Sequence, residues 1–326
     1  MNMALLDPTF LKRLDQKLEI IKKHRPLPTA SVNKLKEQFA IELTYNSNAI
    51  EGNRLTLKET YLVISEGITV KGKSLRDHLE AKDHYEAIHF LYELIEHDRR
   101  HTVSEHLIRS LQQLVIRETD SKNAGTYRAE NVIITGSSHT PPEAYEIPHL
   151  MKKFVDWMKS SNKKYHPIEL AALAHHRLVH IHPFVDGNGR TARLLMNLLL
   201  LQQGYPLVVI LKNDRKKYYD VLEQADREKF GPLVQFIAQS TERALNLYLR
   251  VLNPAKSRAQ SNMQRYMPLS ELSRGTPYSA KYLNLLIRSG KLEGHKEGRN
   301  WVSSRGALNR YLAGRLRKRK VKNKIK

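Results

Sequence analysis

The chain has 326 residues, enough for two or three domains with a buried core. Its 55 Lys and Arg against 33 Asp and Glu give a formal charge of +22, which favours acidic partners, nucleic acid or anionic membrane without choosing among them. The absence of cysteine excludes a disulfide framework, a thiolate metal site and a cysteine nucleophile.

The first thirteen residues lack a basic segment followed by an apolar one, and the densest apolar run, 194–201, is far too short to span a bilayer. The expectation is a cytoplasmic protein with no membrane contact. Apolar spacing predicts helices over 9–24 and 30–47, interrupted at Pro26 and Pro28. Further amphipathic stretches fill 58–116, with a break at 67–72. After Gly125 the texture changes: the β-branched run Val132-Ile133-Ile134-Thr135, then Gly136-Ser137-Ser138 and Pro141-Pro142, predicts a short β-hairpin. Helical periodicity resumes over 147–158, 168–181, 191–203, 218–222 and 233–252. The fold expected is mainly α, a helix bundle carrying one short hairpin.

Asn253-Pro254 and the polar stretch 255–264 mark a domain boundary. Beyond it, a helix (269–274), a turn at Gly275-Thr276-Pro277, a second helix (279–289), Gly290 and two short strands about Gly298 follow the order of a small winged helix-turn-helix. The last dozen residues are mostly Lys and Arg and read as a fraying tail. The expected parts are an N-terminal helical region (1–110), a core (111–253), a linker (254–264), a winged-helix-like domain (265–313) and a basic tail (314–326).

The informative stretch runs from His182 to Arg193, a loop leading into a helix. Gly187 and Gly189 let backbone amides approach an anion closely, where the next helix presents its free N–H groups and positive dipole end. Arg190 and Arg193 share the first helical turn, where cations are disfavoured unless an anion compensates them. Asp186 adds a hard oxygen ligand of the kind that holds magnesium beside phosphates. His182 can accept a proton near neutral pH, and Phe184 reads as a core anchor.

These twelve residues reproduce the Fic motif, H-x-F-x-[DE]-G-N-G-R-x-x-R, and the chain resembles the Fic family over roughly residues 40–250. That resemblance implies a helical Fic fold that transfers AMP from ATP, with Mg2+, to Ser, Thr or Tyr hydroxyls of target proteins, itself included. It implies that His182 is the general base and Asp186 the magnesium ligand. Asn188 and the amides of Gly187 and Gly189 resemble the α,β-phosphate cradle, and Arg190 and Arg193 the residues that hold the outer phosphates. Ile134, Thr135, Gly136 and Ser137 resemble the Fic flap, which aligns a target by strand addition. Tyr218 and Tyr219 resemble residues lining the adenine side, where Asp226 stands in place of a frequent Asn.

Ser47-Asn48-Ala49-Ile50-Glu51-Gly52 matches the [ST]-x-x-x-E-[GN] pattern of Fic inhibitory helices, and its position before the core resembles class II enzymes. Ser47 and Glu51, four apart, share a helix face. Glu51 places negative charge at a negative helix end, which calls for a cationic partner, and Arg193 is the candidate. In some relatives this glutamate also positions water to remove AMP.

Two other readings stand beside this one. His176 and His180 have the spacing of a zinc pair, which points to a His-based metallohydrolase, but Arg177 stands where a zinc protease needs Glu and no third ligand suggests itself. His175, His176 and His180 therefore read as packing or surface residues. The second reading is a DNA-binding regulator, with residues 282–291 as recognition helix and Lys296, Arg299 and Trp301 as a basic wing. Its counterpart is an accessory domain for target docking or for a homodimer.

Overall fold

A computed structural model describes residues 5–24, 29–252, 263 and 265–324, with side chains for all of these except 29–31 and 315–324. It divides into two compact units, Met1–Leu5 with Pro28–Ile237, and Leu6–Leu27 with Ala238–Lys326. The first helix therefore falls in the second unit, and the division lies inside a helix, not at Asn253-Pro254. The expected linker, 254–264, lies outside the described residues apart from Met263. Among the described residues no helix is long and apolar enough to cross a membrane.

The first unit is helical: α2 (Thr29–Ile50), α3 (Leu57–Ser65), α4 (Leu75–His97), α5 (Glu105–Ile116), α6 (Ile147–Ser161), α7 (Pro167–Ile181), α8 (Asn188–Gln202) and α9 (Arg215–Asp226). Local chemistry sets several starts. Thr56 with Glu59, and Ser74 with Asp77, form reciprocal capping boxes at α3 and α4, and Ser104 caps α5. Residues 190–201 of α8 are all buried, so this helix is apolar on every side and forms the centre of the unit, packed against α4, α5 and α7. The run 194–201 is core, as its sequence suggests. The buried Asn197 amide bonds both backbone groups of Val208, at 3.1 and 2.6 Å, and fastens the chain after α8 to that helix.

The expected hairpin is not a ladder. Residues 131–140 run extended around one turn, in which the Ser137 N–H donates to the Ile134 carbonyl at 3.1 Å, and no strand forms there. A two-stranded ribbon is marginal without a face to bury, Ile133 is 92 % exposed, and Pro141-Pro142 supply no N–H donors.

The second unit joins α1 (Pro8–Lys23) to most of α10 (Phe230–Leu252) and to a small domain: β1 (Tyr266–Pro268), α11 (Leu269–Leu272), α12 (Ala280–Arg288), β2 (His295–Glu297), β3 (Asn300–Ser304) and α13 (Arg305–Lys324). The antiparallel sheet has the order β1-β3-β2, with Met267 opposite Ser303 and His295 opposite Val302. β1 is an addition to the sequence reading, and Gly298 (φ 56°) turns β2 into β3. Leu272, Leu283, Leu286, Ile287, Leu292 and Val302 fill the core. The basic stretch expected to fray instead continues α13 to Lys324.

Candidate active site

The loop between α7 and α8 is over-determined. His182 ends α7 in the left-handed region (φ 50°), unusual for a residue with a Cβ, and its N–H donates to the Leu178 carbonyl at 3.0 Å. Arg128 holds that conformation: its Nε donates to the His182 carbonyl at 2.8 Å, Nη1 to Glu130 and Nη2 to Pro142, while its backbone N–H donates to the Pro183 carbonyl at 2.9 Å. Phe184 is fully buried as the anchor. Asn188 is the first residue of α8. Its amide clamps the backbone of Phe184, accepting from the N–H at 3.0 Å and donating to the carbonyl at 2.8 Å, so it shapes the loop that presents the amides. Gly187 (φ 83°) caps α8, and a Cβ there would lie 3.1 Å from Ile116 Cγ2.

Glu51 sits over the first turn of α8. Gly52 (φ 108°) breaks α2, and Glu51 just past its end reaches Arg193 Nη2 at 2.7 Å. A Cβ on Gly189 would meet the Glu51 carboxylate, so a larger residue there would have to push that side chain aside. Arg193, 1 % exposed, also donates through Nε to Ser47 Oγ at 2.9 Å, through Nη2 to the Ser47 carbonyl at 3.0 Å and through Nη1 to the Tyr218 hydroxyl at 3.4 Å. Burial alone would weaken its charge, but Glu51 and the Tyr218 hydroxyl together outweigh burial and keep it protonated beyond the ordinary arginine range.

Arg190 is equally buried but less fully paired. Its Nη2 meets Asp186 Oδ1 at 3.2 Å and its Nη1 lies 3.9 Å from Glu80, while Nε and Nη1 have no hydrogen-bond partner among the described residues. Asp186 also takes Arg76 Nη2 at 2.9 Å and the Gly187 N–H at 2.6 Å. Burial would raise its pKa, but Arg190, the Gly187 amide and Arg76 hold it below the usual carboxylate value. An ionised, 38 % exposed carboxylate beside a helix N-terminus is a donor set that fits Mg2+, which takes one or two carboxylates and completes its shell with phosphate oxygen and water. His182 is pushed down to about 4, chiefly by burial and against the opposing effect of the Val179 carbonyl, so it is a neutral acceptor at pH 7.

Tyr218 is buried, its hydroxyl 2.8 Å from His175 Nε2, and burial raises its pKa to about 12. Tyr219 is 40 % exposed and reaches the Ile50 carbonyl at 3.4 Å, with the Arg215 guanidinium over its ring. Asp226 Oδ1 accepts from His176 Nε2 at 2.8 Å and His180 Nδ1 at 3.0 Å. Thr135, Gly136 and Ser137 are exposed and Ile134 is half-buried. The residues the sequence reading lacks are Arg128, Arg76, Gln112, which donates to the Asp186 carbonyl at 3.0 Å, and His139, whose Nε2 meets the His180 carbonyl at 2.7 Å. No local signal marks Arg128, which stands 54 residues before His182. The i, i+4 pair His176 and His180 was a signal for the last cluster.

Fold and loop together define a helical domain built around a glycine-rich helix entry. Residues 102–200 match the model of the Fic/DOC family. A Fic domain containing signaling protein from Bacteroides thetaiotaomicron superposes with a TM-score of 0.69 at 30 % identity, covering 75 % of this chain and 97 % of that one. Fic-1 from C. elegans gives 0.67 at 32 % identity, over 74 % and 71 % of the two chains. The chain belongs to the Fic/DOC family. It is also 38 % identical over 249 residues to Protein adenylyltransferase Fic of Nematostella vectensis, covering 75 % of this chain and 56 % of the relative. With the Aedes aegypti protein of the same name it shares 36 % identity over 269 residues, 81 % of this chain and 53 % of that one. The chain thus spans about half the length of these curated relatives.

Proposed function

We propose that the protein is an adenylyltransferase that moves AMP from ATP to a protein hydroxyl and is held back by Glu51. The observation that carries this reading is the Glu51–Arg193 pair at 2.7 Å, lying over Gly189 at the entry to α8. In the reaction, the target hydroxyl attacks the α-phosphorus, the new O–P bond forms as the bond to pyrophosphate breaks, and His182 takes the hydroxyl proton. The amides of Gly187, Asn188 and Gly189 face the α- and β-phosphates, and Arg190 with its unfilled N–H groups takes outer phosphate charge. Asp186 would hold Mg2+, which when bound neutralises charge building on the phosphates. The exposed flap segment offers backbone for a target strand.

Arg193 belongs with Arg190 in this scheme, yet its donors are spent on Glu51, Ser47 and Tyr218. A γ-phosphate denied Arg193 leaves ATP displaced, and misplacement on the order of 1 Å costs about a hundredfold. Glu51→Gly frees the arginine and raises transfer; by analogy with relatives, the same change removes a hydrolytic activity toward AMP-modified target. The test is self-labelling from ATP carrying a labelled α-phosphate. Equal labelling by wild type and Glu51→Gly rejects the inhibitory reading. A second reading, that the small domain binds duplex DNA, is favoured by the exposed Lys281, Leu285 and Arg288 on α12 and Arg299 in the β2–β3 turn. A salt-sensitive mobility shift by the full chain tests it, and no shift at low salt rejects it.

A further inference from the structure

We propose that His139, His180 and Asp226 form a binding site for a zinc-type transition-metal dication where the flap meets α7 and α9. The three residues come from separate segments of the first unit, and each offers one ligand atom within 4.8 Å of the others. His180 Nδ1 lies 3.0 Å from Asp226 Oδ1. Two ligands on tetrahedral zinc, with bonds of about 2.0–2.1 Å, stand about 3.3 Å apart. An ion can therefore replace the proton those two atoms share with little movement of either.

The surroundings supply what a ligand set needs. His176, 5 % exposed, holds Asp226 Oδ1 from the protein side at 2.8 Å, as outer partners orient a ligating carboxylate. His139 Nε2 lies 2.7 Å from the His180 carbonyl, which can only accept, so this contact is an N–H donation that an ion would replace. The His139 and His180 rings are stacked, centroids 3.9 Å apart. A shared ion must lie near both ring planes, so the stack opens on binding. His139 is the ring that turns, since it stands on the unladdered flap while His180 belongs to α7.

The His180 side chain is 41 % exposed and Asp226 20 %, which leaves a fourth position for water. His176, His180 and Asp226 also line a cavity of about 350 Å³. Two imidazoles and one carboxylate select zinc, nickel or copper over magnesium, so this site is chemically distinct from Asp186. Occupancy ties the flap to α7 and α9. Only that consequence for target alignment rests on the transfer reading; the binding itself does not.

The test is calorimetric titration of the chelator-treated full chain with zinc alone, without nucleotide, followed by X-ray absorption. The expected result is one zinc per chain in a nitrogen and oxygen shell containing two imidazoles, undisturbed by excess magnesium. His139→Ala and His180→Ala each weaken binding at least about tenfold, with an unchanged urea midpoint. His149→Ala, exposed on α6, leaves it unchanged. Failure of the wild type to bind zinc, or binding that survives His139→Ala at full affinity, overturns the proposal.

Discussion

Both units bury a cluster of cations and carboxylates, and the two clusters differ in how completely their bonding is filled. In the second unit, Glu242 takes Arg13 Nε at 2.7 Å and Nη2 at 3.2 Å together with Lys17 Nζ at 2.8 Å, and Lys17 spends its other donors on Asn246 and Glu293 at 2.7 and 2.9 Å. Glu293 also accepts from Tyr266 and Arg310 at 2.8 and 2.6 Å. Around α8, by contrast, Arg190 keeps two buried nitrogens without a hydrogen-bond partner, and Glu51 approaches Arg193 while remaining 34 % exposed. Burial of charge therefore does not by itself mark a functional site. A saturated cluster holds a fold together; the unfilled donors of Arg190 at a helix N-terminus are what the proposed function assigns to an anion from outside.

Substitutions separate the two kinds of cluster. The largest expected effect is His182→Ala, which lowers AMP transfer roughly a hundred- to ten-thousandfold with an unchanged urea midpoint. In the second unit, Glu242→Gln removes the carboxylate that Arg13 pairs with and leaves Lys17 with Glu293 alone, and lowers stability by about 3–5 kcal/mol, read from the denaturation midpoint, while the folded fraction transfers at the wild-type rate. A smaller effect concerns pH. A base with an ordinary imidazole pKa near 6.5 loses about tenfold by about pH 5.5, because the protonated form cannot accept. With His182 held at about 4, the transfer rate stays flat over that interval and falls only as pH approaches that value. A tenfold loss by about pH 5.5 contradicts the burial argument.

What the sequence made legible was mostly local. The loop 182–193 is one contiguous stretch, and its glycines and arginines stand within a single helix entry. The Glu51–Arg193 pair spans 142 positions and was still legible, because a carboxylate at a negative helix end calls for a cation. The rest depended on partners the sequence does not display. Val132 to Thr135 have strand propensity but no strand pairs with them among the described residues, and Arg128 reaches His182 only through the folded loop. The grouping of α1 with α10 rests on Arg13 and Lys17, whose charges look like a solvated face until Glu242 is opposite them. His139 and Asp226 join His180 only when flap, α7 and α9 converge.

On the proposed function, Glu51 restrains a competent site by occupying Arg193. Self-labelling with α-phosphate-labelled ATP and magnesium, run side by side on wild type, Glu51→Gly and Glu51→Gly/His182→Ala, tests it most directly. The single variant gains at least about tenfold, as Arg193 exchanges a carboxylate for phosphate, and the double variant loses that gain. Equal labelling by wild type and Glu51→Gly contradicts the restraint, and labelling that persists in the double variant contradicts His182 as the base.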